Sequence, residues 1–198
     1  MNITNLKKVG LYLNPSESIE RFNLEFETMK HSFKKLETLQ YYEEGDDFAS
    51  KDLIEKNYNK FAKKIKQFKE SEKQYYLNPL QLNVDLKRIH LISFPISQYI
   101  ETEYYFYYVS NALGENIVFN DIEKFDKEKL SDFIIFDLKY LIINDFDEKG
   151  NFIGAWHVDE IHATAIENLA NWYDKTFEKC QDFKMITKPN AKILEMIL

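Results

Sequence analysis

Five aromatic residues in succession, Tyr104-Tyr105-Phe106-Tyr107-Tyr108, constrain what this chain can fold into more than any other stretch. Strand propensity alone would allow a strand over Tyr104–Val109. The bracketing residues decide for a helix: Pro95 suits a first helical turn and Gly114 a stop, so a helix is expected from roughly Ile96 to Leu113. Five consecutive helical side chains cover the whole circumference, so they cannot all face one core. Some of them must meet a second layer, a partner or a ligand.

The segments before this helix read as helical. Asn14-Pro15-Ser16-Glu17 combines a cap, a proline at the first position and an acid at the third. Behind it Ile19, Phe22, Phe26, Met29, Phe33 and Leu36 recur at alternating spacings of three and four, an amphipathic stripe. A second helix is expected after Ser50, with Ile54, Tyr58, Phe61, Ile65 and Phe68 on one face. Its other face carries eight lysines against four acids. A solvated face explains it, and an anionic partner is the alternative. Asn78-Pro79 interrupts that pattern.

Beyond it the period changes. Arg88–Ser93, Glu115–Phe119, Asp132–Phe136, Tyr140–Asn144 and Phe152–His157 read as strands, the last two joined by a hairpin turn at Lys149-Gly150-Asn151. A helix is expected from Asp159 to about Lys179. The expectation is therefore an α+β fold: a largely antiparallel four- to five-stranded sheet with packed helices and an N-terminal helical pair. One domain spanning 1–198 is expected, with a helical part over 1–76 and an α+β core over 87–183.

The net charge of −7 argues against general nucleic-acid affinity. The single cysteine, Cys180, excludes an intrachain disulfide framework and suits a reducing cytoplasm. No apolar run has the length of a signal peptide or a membrane span. Cations are almost all lysine, which makes the two arginines, Arg21 and Arg88, candidates for special roles.

Several segments match a known pattern in order. Arg88-Ile-His-Leu-Ile-Ser-Phe-Pro-Ile-Ser-Gln-Tyr99 is similar to R-V-R-V-V-S-E-P-L-S-D-Y, and Asn111-Ala-Leu-Gly114-Glu115-Asn-Ile117 to an A-A-G-E-D-I turn. Asp132-Phe-Ile-Ile-Phe136-Asp137 is similar to D-F-W-L-F-D, and Gly150-Asn-Phe152-Ile-Gly154-Ala155 to G-R-F-L-G-A. Upstream, Ser32-Phe33-Lys-Lys-Leu36-Glu37 and Tyr41 match S-A-F-R-L-E and a following Tyr. On these segments the chain resembles a bacterial family of uncharacterised domains, abundant in actinobacteria and often encoded near small helix-turn-helix regulators. The resemblance implies a bacterial cytosolic setting and a regulatory or mobile-element context, and it brings no established activity. Glu101 stands where the family has Arg, Phe94 where it has Glu and Ile134 where it has Trp. Those departures weaken the case for a site built on an Arg–Glu pair there.

No phosphate loop, zinc set or nucleophile elbow is present, so no catalytic residue, metal or cofactor is assigned. His157, Asp159, Glu160 and His162 lack the spacing that puts two histidines on one helical face. Asp145-x-Asp147-x-Lys149-Gly150 imitates a calcium loop but has Lys in place of the third oxygen ligand. The residues singled out for binding are Arg88, Tyr99, Glu103, Tyr107 and Asp137: Glu103 shares a helical face with Tyr99 and Tyr107, and Asp137 sits at a strand end. The leading expectation is a non-enzymatic regulatory or protein-interaction module, with a protein partner or self-association and no membrane. The alternatives are a hydrolase acting on a phosphate ester or nucleotide through a small acidic pocket, and nucleic-acid contact through the lysine-rich helix.

Overall fold

The computed structural model describes residues 3–43, 49–126, 130–186 and 189–197. Helix α1 (Ile3–Val9) and strand β1 (Leu11–Leu13) lead into α2 (Pro15–Thr28) and β2 (Ser32–Glu37). Next come α3 (Ser50–Ile54), α4 (Tyr58–Gln81), β3 (Asp85–Ile92), α5 (Gln98–Ala112) and β4 (Asn116–Asp121). The hairpin-rich part is β5 (Phe133–Phe136), β6 (Tyr140–Phe146) and β7 (Phe152–Val158). It is followed by α6 (Ala163–Phe177), β8 (Gln181–Asp182), α7 (Phe183–Ile186) and α8 (Ala191–Ile197).

Among the described residues, eight strands form one mixed sheet in the order β1-β7-β6-β5-β2-β3-β4-β8. Strands β2, β3 and β4 run parallel, and the other neighbouring pairs are antiparallel. This corrects the expectation of a four- to five-stranded, largely antiparallel sheet beside an N-terminal helical pair. The stripe from Ile19 to Leu36 is not one helix. Helix α2 begins as expected, with the Glu17 N–H donating to Asn14 Oδ1 at 3.1 Å and the Asn14 N–H to Glu17 Oε2 at 3.2 Å. It ends at Thr28, with Met29 already extended at ψ 148°.

A distant carboxylate ends it. Asp137 accepts the backbone N–H groups of Lys30 (2.8 Å), His31 (2.7 Å) and Ser32 (2.9 Å). Those donors would otherwise serve a continuing helix, so the chain turns and β2 enters the middle of the sheet. Phe33 and Leu36, one turn apart in a helix, then fall on opposite faces. The two edge strands escape detection for a different reason, being only three and two residues long. Pro79 does not break α4 as its pattern suggests: it forgoes one N–H bond in the last turn, and the helix ends two residues later at Gln81.

One face of the sheet is largely apolar, and the buried Lys34 on it pairs with Asp174 of α6 at 2.5 Å. Leu36, Ile89, Leu91, Phe133, Ile135 and Leu141 pack there against Ile3 and Leu6 of α1 and Ile166, Leu169 and Tyr173 of α6. The opposite face is shared by α2, which packs Phe26 on Phe33 and Phe22 on Phe136, and by α5. All five aromatics of α5 find partners. Tyr104 and Tyr107 meet Phe119 of the sheet, Tyr105 meets Phe61 of α4, Phe106 meets Phe68 and Tyr108 meets Phe183 of α7. Tyr104, Tyr105 and Tyr107 are buried and the other two half-buried, so the second layer they require is this chain's own α3–α4–α8 cluster.

Asp137 combines the three-donor clamp with a left-handed backbone (φ 51°). Asp137→Ala is expected to cost about 3 kcal/mol, and Asp137→Asn, which keeps one acceptor and tolerates that backbone, roughly half as much. Urea unfolding midpoints at constant slope check both.

Candidate functional site

Between α2 and α5 the sheet is uncovered, and the inward positions of its central strands are ionisable where the neighbours are apolar. Lys35 and Glu37 of β2 lie opposite Arg88 and His90 of β3 in parallel register. Ion pairs join them. Arg88 makes a two-pronged contact with Glu115, from Nε to Oε1 at 2.8 Å and from Nη2 to Oε2 at 3.0 Å, and reaches Glu37 Oε2 through Nη1 at 3.3 Å. Lys35 Nζ lies 2.7 Å from Glu37. The Tyr76 hydroxyl donates to Glu115 at 2.9 Å, which ties α4 to the same cluster.

Burial would push Glu37 upward, but Arg88 and then Lys35 outweigh it and hold its carboxyl well below the usual range. His90 is fully buried. Its Nε2 faces the Leu39 carbonyl at 2.9 Å and therefore carries the proton, leaving Nδ1 to accept from the Tyr107 hydroxyl at 2.7 Å. Burial lowers the His90 pKa and keeps the ring neutral. The same Tyr107 hydroxyl lies 3.2 Å from Glu37.

Above this floor are two adjoining chambers of about 320 and 310 Å³ that share Lys35, Glu37 and Glu103 in their linings. The first has aromatic walls, Phe22, Tyr42, Tyr99, Phe146 and Phe152, with Asp132 and Glu43 among them. The second is closed by Phe68, Glu72, Arg88, Phe106 and Tyr107. One wall is the loop over residues 38–43, which Asp132 holds. Its carboxylate accepts from the Thr38 N–H at 2.8 Å, from the Thr38 hydroxyl at 2.5 Å and from the Tyr42 hydroxyl. Burial raises the Asp132 pKa, and burial followed by Asp132 raises that of Tyr42. Gln40 bridges to the Leu91 carbonyl and the Ser93 N–H, and the Glu43 N–H reaches the Gly150 carbonyl.

Of the residues named from sequence, Arg88, Glu103 and Tyr107 line the second chamber, and Tyr99 and Glu103 the first. Asp137 lies elsewhere, in the clamp that ends α2. The floor residues Lys35, Glu37 and His90 were not named, nor were Glu115, Asp132 and Tyr42. The period-two signal was present in Lys35-x-Glu37 and Arg88-x-His90, but the helical reading of residues 29–36 hid the first of these pairs. His157 is spent in structure: Ser18 Oγ lies 2.8 Å from its Nε2 and the Tyr140 hydroxyl 3.0 Å from its Nδ1. Asp147 accepts three bonds from Lys149 and Asn151 within the hairpin turn. On the lysine-rich helix, Lys60 and Lys64 both pair with the buried Asp52 at 2.9 Å. Among the described residues no group of three or more His, Cys, Asp or Glu side chains is arranged to hold a metal ion, and no helix is long and apolar enough to cross a membrane.

Fold and cleft together define an α+β domain: one large mixed sheet, covered on both faces, with a charged and aromatic cleft over its central strands. The chain belongs to the domain-of-unknown-function family DUF6879, whose model matches residues 20–185. No curated protein matches it. Among solved structures it is similar to a phospholipase D family member, Nuc from Salmonella typhimurium. The identity is 10% and the TM-score 0.50, covering 87% of this chain and 95% of that one. NucT from Helicobacter pylori is comparable, at 11% identity and a TM-score of 0.50, covering 87% and 96%. TrmBL2, an archaeal chromatin protein with a novel mode of DNA binding, aligns at 10% identity and a TM-score of 0.45 over 87% of this chain. The chain spans about half of that protein's length, 53%.

Two expectations follow. Arg88→Met leaves Glu37 and Glu115 buried without their shared cation, so it should destabilise by about 3–5 kcal/mol, measured by chemical unfolding. His157 is lowered to about 4 by burial and by Arg21. Its neutral form is favoured in the fold, so its contribution is complete above the unfolded value of about 6.5 and is lost as pH falls toward 4. Thermal midpoints of His157→Gln should accordingly fall less steeply than the parent's across that interval.

Proposed function

We propose that the domain is a non-enzymatic interaction module whose binding site is the two-chambered cleft between α2 and α5. One observation carries the reading: the groups with chemical reactivity beneath the cleft are engaged with each other, while the cleft above them is open and aromatic. Arg88 is divided between Glu115 and Glu37, and His90 lies buried between Tyr107 and the Leu39 carbonyl. A pocket of this size with mostly apolar walls and a few convergent polar groups has the form of a ligand site. The buried aromatic helix is not the contact surface in this reading. Its side chains serve as the wall that positions Tyr99 and Glu103.

Hydrolysis of a phosphate ester is the rival, and the likeness to Nuc and NucT extends to the fold alone. Phosphoryl chemistry needs cations turned toward the ligand. Here Lys35 and Arg88 are already paired with Glu37 and Glu115, and Asp137 serves the α2–β2 turn.

Protein-observed NMR with small neutral, cationic and anionic aromatic fragments tests the proposal. The earliest shifts are expected at Tyr42, Tyr99 and Ile134. Bis(p-nitrophenyl) phosphate should be hydrolysed no faster than in buffer. Turnover that disappears in Glu103→Gln would overturn the module reading in favour of an enzyme.

A further inference from the structure

The charge of the cleft specifies more than its shape does. Five carboxylates, Glu37, Glu43, Glu72, Glu103 and Asp132, line the two chambers against two cations, Lys35 and Arg88. Glu115 draws on Arg88 from behind, so the excess is negative. Burial raises the pKa of both Asp132 and Glu72.

This excess of acids sits beside the aromatic faces of Phe22, Tyr42 and Tyr99. A phosphate or carboxylate ligand would meet like charge. A bare metal ion would find no cluster of three ligating side chains among the described residues. An organic cation on a hydrocarbon stem gains from both features: its head from the carboxylates, its stem and charge from the rings.

The rim indicates where such a cation comes from. Ile19, 54% exposed, stands at the mouth of the first chamber, and Tyr41, 49% exposed, packs its ring 5.2 Å from that of Tyr99. Exposed apolar side chains around an acidic slot give a protein segment something to lie on, which a free amine would not use. Resting on the module reading above, we propose that the cleft receives the side chain of an arginine or lysine presented by a protein partner. The charged head meets Glu103 and Asp132, and the stem lies along Tyr42 and Tyr99.

The test uses the full chain and a fluorescein-labelled, end-blocked peptide alternating arginine and leucine, followed by anisotropy. Control peptides carry glutamine or glutamate in place of arginine, and agmatine serves as the free cation. The glutamine peptide is expected to bind about tenfold more weakly than the arginine peptide, and added salt should weaken the arginine peptide several-fold. Glu103→Gln should lose about five- to tenfold in affinity, while Glu195→Gln, on α8, should lose none.

Should Glu103→Gln shift the unfolding midpoint, Ile19→Arg provides the same test. It places a cation at the mouth from an exposed helical position and should weaken binding equally. Glutamine or glutamate peptides that bind as well as the arginine peptide would overturn the proposal. Agmatine displacing the peptide at the peptide's own concentration would overturn the protein partner and assign the site to a free amine. Neutral or anionic fragments that shift Tyr42 and Tyr99 while the arginine peptide does not would defeat the cation but leave the module. If no probe reaches the cleft, both fall.

Discussion

The Arg88 guanidinium, held between Glu37 and Glu115, is the interaction on which the polar half of this molecule depends. It is largely buried, and the carboxylates it joins come from β2 and from the turn between α5 and β4. Through the Tyr76 hydroxyl the same cluster reaches α4. A buried charge is tolerated only when its partners satisfy it, so these elements must arrive together. Lys35 and Tyr107 complete the shell around Glu37, and His90, kept neutral by burial, passes its remaining hydrogen bond to the loop at Leu39. The cleft floor is therefore a preorganised set of charges.

Around that floor the aromatic residues supply rigidity. Helix α5 is sandwiched between the sheet and the α3–α4–α8 cluster, with Tyr104 and Tyr107 turned to one and Tyr105 to the other. With rings packed on both flanks, the helix cannot turn about its axis without breaking contacts on each. Glu103 and Tyr99 are consequently delivered to the cleft, and the gap between α5 and α2 is set by packing on both flanks. The domain combines a dry, ring-filled support with an acidic opening, an arrangement suited to holding a charged group in place.

The elements that depend on local signals were legible. The Asn14–Glu17 capping box, the α5 helix ended by Gly114 and the β6–β7 hairpin follow from residues within a few positions of one another. So did part of the cleft: Arg88, Tyr99, Glu103 and Tyr107 were named from residue type and helical spacing, and they lie around its two chambers. What was lost traces to β2. Its residues continue the three-four spacing of α2, and only the Asp137 carboxylate, more than a hundred positions away, withdraws the N–H groups that a longer helix would need. Misreading β2 hid Lys35 and Glu37, and with them the acidic floor.

The sequence by itself determined that the chain would be α+β, that its aromatic run would need two layers, and that Arg88 was unusual among the cations. Those conclusions rest on periodicity, capping and composition, which act over a few residues. Only the tertiary structure decided that one sheet holds eight strands, that its centre is parallel, and that Glu37, Glu103, Glu115 and Asp132 lie around one cleft. Parallel pairing and buried ion pairs join residues far apart in the chain, and no local pattern records which partner a carboxylate will find.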